Sequence, residues 1–411
     1  MTNNPQFQRP SFQFSARKSP LAITVGILVL IGVLFTALSG FYADWLWFKS
    51  VNFTNTWSTI LTTKATLFVV SGLLTAFIVM FNVLLAYKRR PLYVPMTVEA
   101  DNLERYRSQV EPIRRPLVIG LTIALFYFAG SAGSQMWSTW LLFKNSTPFG
   151  VTDPQFNMDI SFFAFRLPFW QTLISWGIST AILAILASVA VHYLYGGIRL
   201  QVQEDRTTVA ARVQLSVLLG LVVLLKAVAY WFDRYALALK ESRLITGLTY
   251  TDVNAVLPAK AILTGIAIVC SLLFFANIVR RSWVLPAAGT ALLVVSSVLI
   301  AGLYPGAIQQ FQVKPSESSK EAPFIQRNID ATRAAYGIDD VTVKDYQATD
   351  STNTGQLADD AATIANIRLM DPNVLSATFR QLQQIRPYYS FPESLDIDRY
   401  TVNGVKRDVV V

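Results

Sequence analysis

Seven stretches of this chain are long and apolar enough to cross a bilayer as helices, a length of about 20 residues set by a hydrocarbon core about 30 Å thick. They run Leu21–Phe41, Leu61–Tyr87, Pro116–Phe143, Pro168–Tyr195, Arg212–Trp231, Pro258–Val279 and Trp283–Tyr304. In hydrocarbon every backbone N–H and C=O must be satisfied within the segment, so such runs fold as helices packed on one another. The pattern predicts an α-helical multi-pass membrane protein with seven transmembrane helices. Charge agrees: 15% of the 411 residues are charged, against about a quarter in soluble domains. The first run is too long for the apolar core of a cleaved signal peptide and lacks a small-residue cleavage site, so it reads as an anchor.

Orientation follows from the connection Lys88–Arg115. It opens with Lys88, Arg89, Arg90 and Pro91, closes with Arg114 and Arg115 before Pro116, and holds seven Lys/Arg in 28 residues. Short loops this basic stay on the cytoplasmic side of a membrane. Glu99, Asp101, Glu104 and Glu111 make its middle mixed, so the positive clusters sit at its two membrane edges and do not form a nucleic-acid patch. Alternating from a cytoplasmic N-terminus, inner segments hold fifteen Lys/Arg and outer loops six. The expectation is a plasma-membrane protein with a disordered cytoplasmic tail over 1–20, a transmembrane domain over 21–304 and an extracytoplasmic region over 305–411. Net charge divides the same way, +12 over residues 1–304 and −3 over residues 305–411, and anionic headgroups account for the excess on the membrane half.

Within the membrane half, Phe41–Trp57 carries seven aromatics and reads as an interfacial segment. Gly130–Ser134 (GSAGS) puts small residues at the centre of the third span and predicts a close helix–helix seam. In the loop Lys144–Leu167, Asp153–Pro154 marks a turn and the aromatics predict a short amphipathic segment on the interface. The region after Tyr304 has a different composition. Ser318 and Ser319 offer N-caps, Pro323 fits a first helical turn and Gly337 a C-cap. Residues 341–346 (VTVKDY) alternate like a strand, Asp371–Pro372 starts a helix running to about Arg386, and Asn403–Gly404 between RYTV and VKRDVVV signals a hairpin. These elements predict an α+β domain that ends abruptly, so the chain reads as incomplete.

Four stretches carry a family resemblance: Asp44–Phe48 (DWLWF), Asp153–Phe169 (DPQFNMDISFFAFRLPF), Tyr250–Ala259 (YTDVNAVLPA) and Glu321–Gly337 (EAPFIQRNIDATRAAYG). On these the chain resembles the uncharacterised bacterial membrane protein family UPF0182, common in actinobacteria. The resemblance implies seven spans, a large extracytoplasmic region and a continuation past Val411. It brings no catalytic residues with it.

The chemistry available is narrow. His192 is the single histidine, which removes HExxH metal sites, histidine-rich clusters and a triad in the C-terminal region. His192 reads as an interfacial side chain among Tyr193 and Tyr195; a pairing with Ser131 or Ser134 is set aside because their helical depths differ by about 20 Å. Cys270, the single cysteine, lies in an apolar run and reads as a small hydrophobe. Phosphate-cradling glycine loops are missing, and the acidic pairs Asp339–Asp340 and Asp359–Asp360 lack the alternation of a calcium loop, so they read as solvated. No cofactor, metal or nucleic acid is expected.

Ionisable residues near the outer span edges form the one candidate cluster. Lys226, Tyr230 and Asp233 share a helical face, with Asp233 as the expected partner of Lys226, and Asp159, Arg166, Lys64 and Lys260 fall at a similar level. The leading expectation is a non-enzymatic anchor presenting an extracytoplasmic domain to a protein or cell-envelope partner. The alternatives are a transporter or channel for an ion, lipid or small solute, and an enzyme acting on envelope lipids or cell-wall precursors through carboxylates.

Overall fold

The computed structural model describes residues 20–91, 98–201, 206–242, 245–280, 283–345, 371–383, 385–386, 388 and 390–411. The predicted tail up to Ser19 and the pair Asp359–Asp360 lie outside them. The chain divides into two compact units, Met1–Gly337 and Ile338–Val411. Helix α10 (Glu317–Tyr336) belongs to the first, so the compact boundary falls after the helix and not at the composition change near Pro305.

Among its described residues the first unit contains seven helices long and apolar enough to cross a membrane, the number the hydropathy predicts. Most extend past their apolar runs, because apolarity marks what lipid would cover whereas helix formation asks only for tolerated residues. Helix α1 (Pro20–Ser50) continues through the aromatic stretch, and after a short turn α2 (Thr54–Lys88) begins, so Phe41–Trp57 is a helical hairpin closed by Phe41 against Trp57 at 4.9 Å. Helix α3 (Val98–Ser134) takes in most of the basic connection and runs through Pro112 and Pro116, each of which lacks the N–H that would bond four residues back. Gln135 and Met136 then turn the chain, and α4 (Trp137–Lys144) covers the rest of the predicted third span.

Helices α5 (Leu167–Leu194) and α7 (Leu257–Arg280) enter alike. Each follows a π-helical turn, Phe162–Arg166 before α5 and Asp252–Val256 before α7, in which the Leu167 and Leu257 amides bond five residues back to the Phe162 and Asp252 carbonyls. Pro168 and Pro258 follow at once. A wide turn there re-routes the ladder around a residue that cannot donate. Helix α6 (Val209–Ala236) starts at Thr208, whose hydroxyl accepts from the Ala211 amide at 3.3 Å.

The last helix is continuous over Val284–Tyr336, 53 residues. It comprises α8 (Val284–Ser296), a π-helical stretch, α9 (Tyr304–Ala307), a second π-helical stretch, one 3-10 turn and α10. Ser318 and Ser319 therefore cap nothing and Pro323 lies inside a helix. Gly337 is the predicted C-cap, in the left-handed conformation at φ +63°.

Sequence neighbours pack as α2–α3, α5–α6, α6–α7 and α7–α8, α2 also packs on α5, and α1 meets α2. Val79, Ala184 and Leu218 from α2, α5 and α6 form the buried centre. Backbones approach closely at the predicted glycine seam. A Cβ on Gly72 would lie 2.6 Å from the Phe126 carbonyl oxygen, one on Gly130 2.8 Å from that of Phe68, and one on Gly133 would overlap the Ser71 hydroxyl. Between surfaces that lipid solvates as well as protein does, such van der Waals approach is what favours association.

In the second unit, Asp371 caps α11 (Pro372–Leu382) by accepting from the Asn373 amide at 3.0 Å. The helix stops short of the expected Arg386. Strands β1 (Ile397–Val402) and β2 (Val405–Val410) pair antiparallel across Asn403–Gly404, both at positive φ as a two-residue type I′ turn demands. Residues 341–345 carry no strand, correcting that expectation for them, and Tyr346 lies outside the described residues.

Candidate functional site

The end of the bundle where α6 hands over to α7 carries the densest polar construction. Thr249 precedes the helix that becomes α7, and Asp252 stands three residues on. The Asp252 amide donates to the Thr249 hydroxyl at 3.3 Å, and the Asp252 carboxylate accepts from the Thr249 amide at 3.1 Å and hydroxyl at 2.8 Å. This reciprocal capping box satisfies donors that a helix start leaves open. The other carboxylate oxygen of Asp252, which is 1% exposed, pairs with Lys240 Nζ at 2.7 Å.

Helix α10 supplies the next donor's partner from 71 residues away. The Glu321 carboxylate accepts from the Tyr250 amide at 2.9 and 3.2 Å, placing a second negative charge at the same helix start, where the macrodipole favours it. Lys320 reaches the Tyr250 hydroxyl at 3.4 Å, Asn328 donates to the Thr246 carbonyl at 2.9 Å, and the Thr251 hydroxyl meets Gln309. Arg327 donates to the Gln155 side chain at 3.3 Å. A cavity of about 520 Å³ opens here, lined by Lys240, Thr249, Gln309, Lys314, Glu317 and Glu321 among others. Three of the stretches that carry the family resemblance, around Gln155, Tyr250 and Glu321, thus meet at one place.

The residues singled out from the sequence lie at this same end but in separate pairs. Asp233 bonds Lys260 Nζ at 3.3 Å and leaves Lys226 to stack over the Tyr230 ring at 4.8 Å on an exposed flank of α6, correcting the expected Lys226–Asp233 pair. Lys64 sits over the Trp137 ring at 5.4 Å, and Arg166 donates to the Ser146 hydroxyl at 3.2 Å. Asp159 is an organiser of the loop: it accepts from the amides of Phe149, Gly150 and Ser161 at 3.1, 2.9 and 2.8 Å. These bonds, that from the Ser161 side chain foremost, hold its carboxyl well below the usual carboxylate range. Asp153 folds the preceding turn through the Gln155 and Phe156 amides, and no separate amphipathic helix forms in residues 145–159. Sequence reasoning missed Asp252 and Glu321. The capping-box spacing Thr249–Asp252 was legible; the pairing with Glu321 required the fold.

The topology residues gather at the opposite end. Arg90 stacks on the Tyr87 ring at 4.1 Å and lies 5.6 Å from the Tyr195 ring. Glu111 accepts from the Tyr87 and Tyr195 hydroxyls, each at 3.0 Å, and pairs with Arg114 at 3.0 Å, while Arg114 also meets the Tyr87 hydroxyl. Arg107 bonds Glu104 at 2.8 Å and the Leu194 carbonyl at 3.0 Å. Lys88, Arg89 and Arg115 are exposed.

His192 is buried at 1% exposure and not interfacial, correcting that expectation. Its Nε2 lies 3.0 Å from Gln214 Oε1, and the Gln214 amide donates to the Asn82 carbonyl at 2.9 Å and the Ser188 hydroxyl at 3.2 Å. Three helices are joined by this network. Among the described residues, no group of three or more His, Cys, Asp or Glu is placed to hold a metal ion.

Residues 21–411 match the profile of an uncharacterised protein family (UPF0182). A UPF0182 protein of Streptomyces coelicolor is 47% identical over 403 residues, covering 97% of this chain and 40% of its own length. Relatives from Frankia casuarinae and Thermobifida fusca are each 46% identical, over 388 and 399 residues, covering 94% and 96% of this chain and 38% and 39% of their own lengths. The chain spans about two-fifths of the length of these curated relatives. No solved structure matches it.

Proposed function

This chain belongs to the uncharacterised protein family UPF0182, and from that premise we propose that it is an integral plasma-membrane protein that holds a recognition surface on the extracytoplasmic side. In this reading the seven helices cross the bilayer with the N-terminus and the Lys88–Arg115 end in the cytoplasm, as the charge asymmetry favours. The end bearing Asp252, Glu321 and the 520 Å³ cavity then faces outward, together with the C-terminal unit. The partner is a polar component of the envelope, or a protein segment carrying both charges, to match a lining of lysines and glutamates.

The observation that carries this reading is the contact of three resemblance-bearing stretches, through Arg327 with Gln155 and Glu321 with Tyr250, beside a cavity that Glu321 and Ile325 line. Asp252, beneath Lys240 and Thr249 of the cavity wall, and Glu321 within it are occupied by backbone amides and a lysine, so neither offers a free acid or base. Transport finds less support, because Lys226 stands on an exposed flank of α6, over the Tyr230 ring and apart from the Asp233–Lys260 pair.

Two measurements test the proposal. Single cysteines placed at Ser318 and at Ser108 in a Cys270→Ser background should react with a membrane-impermeant maleimide in intact cells at the first position and not the second; the reverse pattern refutes the orientation. A photo-crosslinker at Ile325, on the cavity wall, should give adducts of defined mass that disappear in Glu321→Ala. Equal crosslinking from Leu183 on an exposed helix face, or a turnover abolished by Asp252→Asn in a folded protein, refutes the non-enzymatic recognition role.

A further inference from the structure

We propose that the basic end of the bundle holds an anionic phospholipid, its acyl chain in a groove between α2, α3 and α5 and its phosphate at Arg115. Helix α2 packs tightly on both α3 and α5, while α3 and α5 meet only sparsely. A wedge with α2 as its floor is left open, and its volume is about 550 Å³. Leu125 closes the wedge toward the bundle centre by packing on the Val79–Ala184 core. From there the walls are apolar, with Leu84, Leu117, Leu121, Ala187 and Ala190 lining a channel about 10 Å long along the helices.

Arg114, Arg115, Tyr87 and Tyr195 stand at the mouth of the groove. Glu111 is the one carboxylate there, and it already accepts from both tyrosine hydroxyls and pairs with Arg114. Arg115 is exposed, and Arg90 and Arg107 lie on the adjoining rim, where Arg107 pairs with Glu104; Lys88, Arg89 and Arg105 against Glu99 and Asp101 leave the whole stretch Lys88–Arg115 with seven basic and four acidic side chains. The mouth is therefore cationic after its internal pairs are formed. A cationic rim directly above an apolar slot between spanning helices matches an amphiphile with an anionic head, and matches neither a free anion nor a neutral lipid equally well. The headgroup oxygens accept from guanidinium donors in the forked geometry arginine provides.

The proposal rests on the membrane-spanning reading, which fails separately if the chain is stable in solution without detergent. The test is native mass spectrometry of the purified full chain in mild detergent, titrated with dioleoyl phosphatidylglycerol or dioleoyl phosphatidylcholine, which share their tails. Half-saturation is expected at about a tenfold lower concentration for the anionic lipid. Arg115→Gln should weaken that binding about fivefold and weaken phosphatidylcholine, whose phosphate is offset by its choline cation, by less, with the unfolding midpoint unchanged. Ala190→Trp, which fills the slot and keeps the charges, should weaken both; Leu117→Trp, at an exposed mouth position, carries that arm if the first variant misfolds. Equal affinity for the two lipids, an Arg115→Gln protein indistinguishable from wild type, or displacement of bound lipid by inorganic phosphate would overturn the proposal.

Discussion

Replacing Glu321 by alanine removes the carboxylate that holds the Tyr250 amide at 2.9 and 3.2 Å, in a site where Glu321 is 6% exposed. One donor shared between two carboxylate oxygens counts as one charge-assisted bond, about 1.5–3 kcal/mol net. A negative charge beside a helix start adds up to about 1 kcal/mol. Taking about 2–3 kcal/mol as the local cost, amide protection at the start of this helix should fall roughly 30- to 140-fold. Glu321→Gln keeps one acceptor oxygen without the charge and should fall between alanine and wild type. The assay is hydrogen exchange with mass spectrometry on the full chain in detergent, reading peptides over 245–256 against peptides over 185–197 at the opposite end. Exchange over 245–256 that stays within about a factor of two of wild type would refute the assigned bond. Equal acceleration at both ends would refute its locality, since it would mean that the whole bundle had loosened.

Other perturbations test the packing and the loop. Gly72→Ala puts a methyl 2.6 Å from a backbone oxygen that cannot turn away, so α2 and α3 must separate at about 1–3 kcal/mol, read as a lower unfolding midpoint; Gly120→Ala, with nothing within 4 Å, should be neutral or better. Gln214→Leu strips partners from Asn82, Ser188 and His192 and should cost about 1–2 kcal/mol in the same measurement, whereas Leu224→Ala on the exposed flank should cost less. Asp159 titrates below its ordinary 3.8, so its contribution to the loop is complete above that value and is lost only as pH falls through the lower, folded value. Exchange of residues 149–161, corrected for intrinsic rates, should therefore hold steady from neutral pH to about 4 and rise below, and Asp159→Asn should exchange faster at neutral pH with no such rise.

What hydropathy could and could not reveal follows from what it measures. The number of long apolar helices, the close seam at Gly130–Ser134, the Asp371 cap, the Gly337 C-cap and the Asn403–Gly404 turn were legible because each depends on local composition or on a conformation only certain residues adopt. Helix ends were not. Residues 98–115 are polar yet helical, and Pro116, which looked like a helix start, lies inside α3. The candidate cluster was half legible: helical spacing placed Lys226, Tyr230 and Asp233 together, but Asp233 turns to Lys260 on the neighbouring helix, a choice that only tertiary packing makes. Glu321 could not be foreseen, because nothing local reveals that the seventh helix continues far enough to return a carboxylate to Tyr250.

That unbroken helix from Val284 to Tyr336 is about 80 Å of rod at 1.5 Å per residue. Its far half is tied in angular phase to its near half, since each residue advances the rod by about 100°. Inserting one alanine after Leu303 would swing Glu321 about a quarter-turn away from Tyr250, whereas seven would return it to within about 20° at about 10 Å greater height. The π-helical stretches at Ser297–Leu303 and Ile308–Val313 each behave as one residue already inserted, setting the dial so that Glu321 meets its amide. A twist applied to the far half is therefore passed to the bundle as torque, and the start of α7, bonded to Glu321, is one place where it is felt.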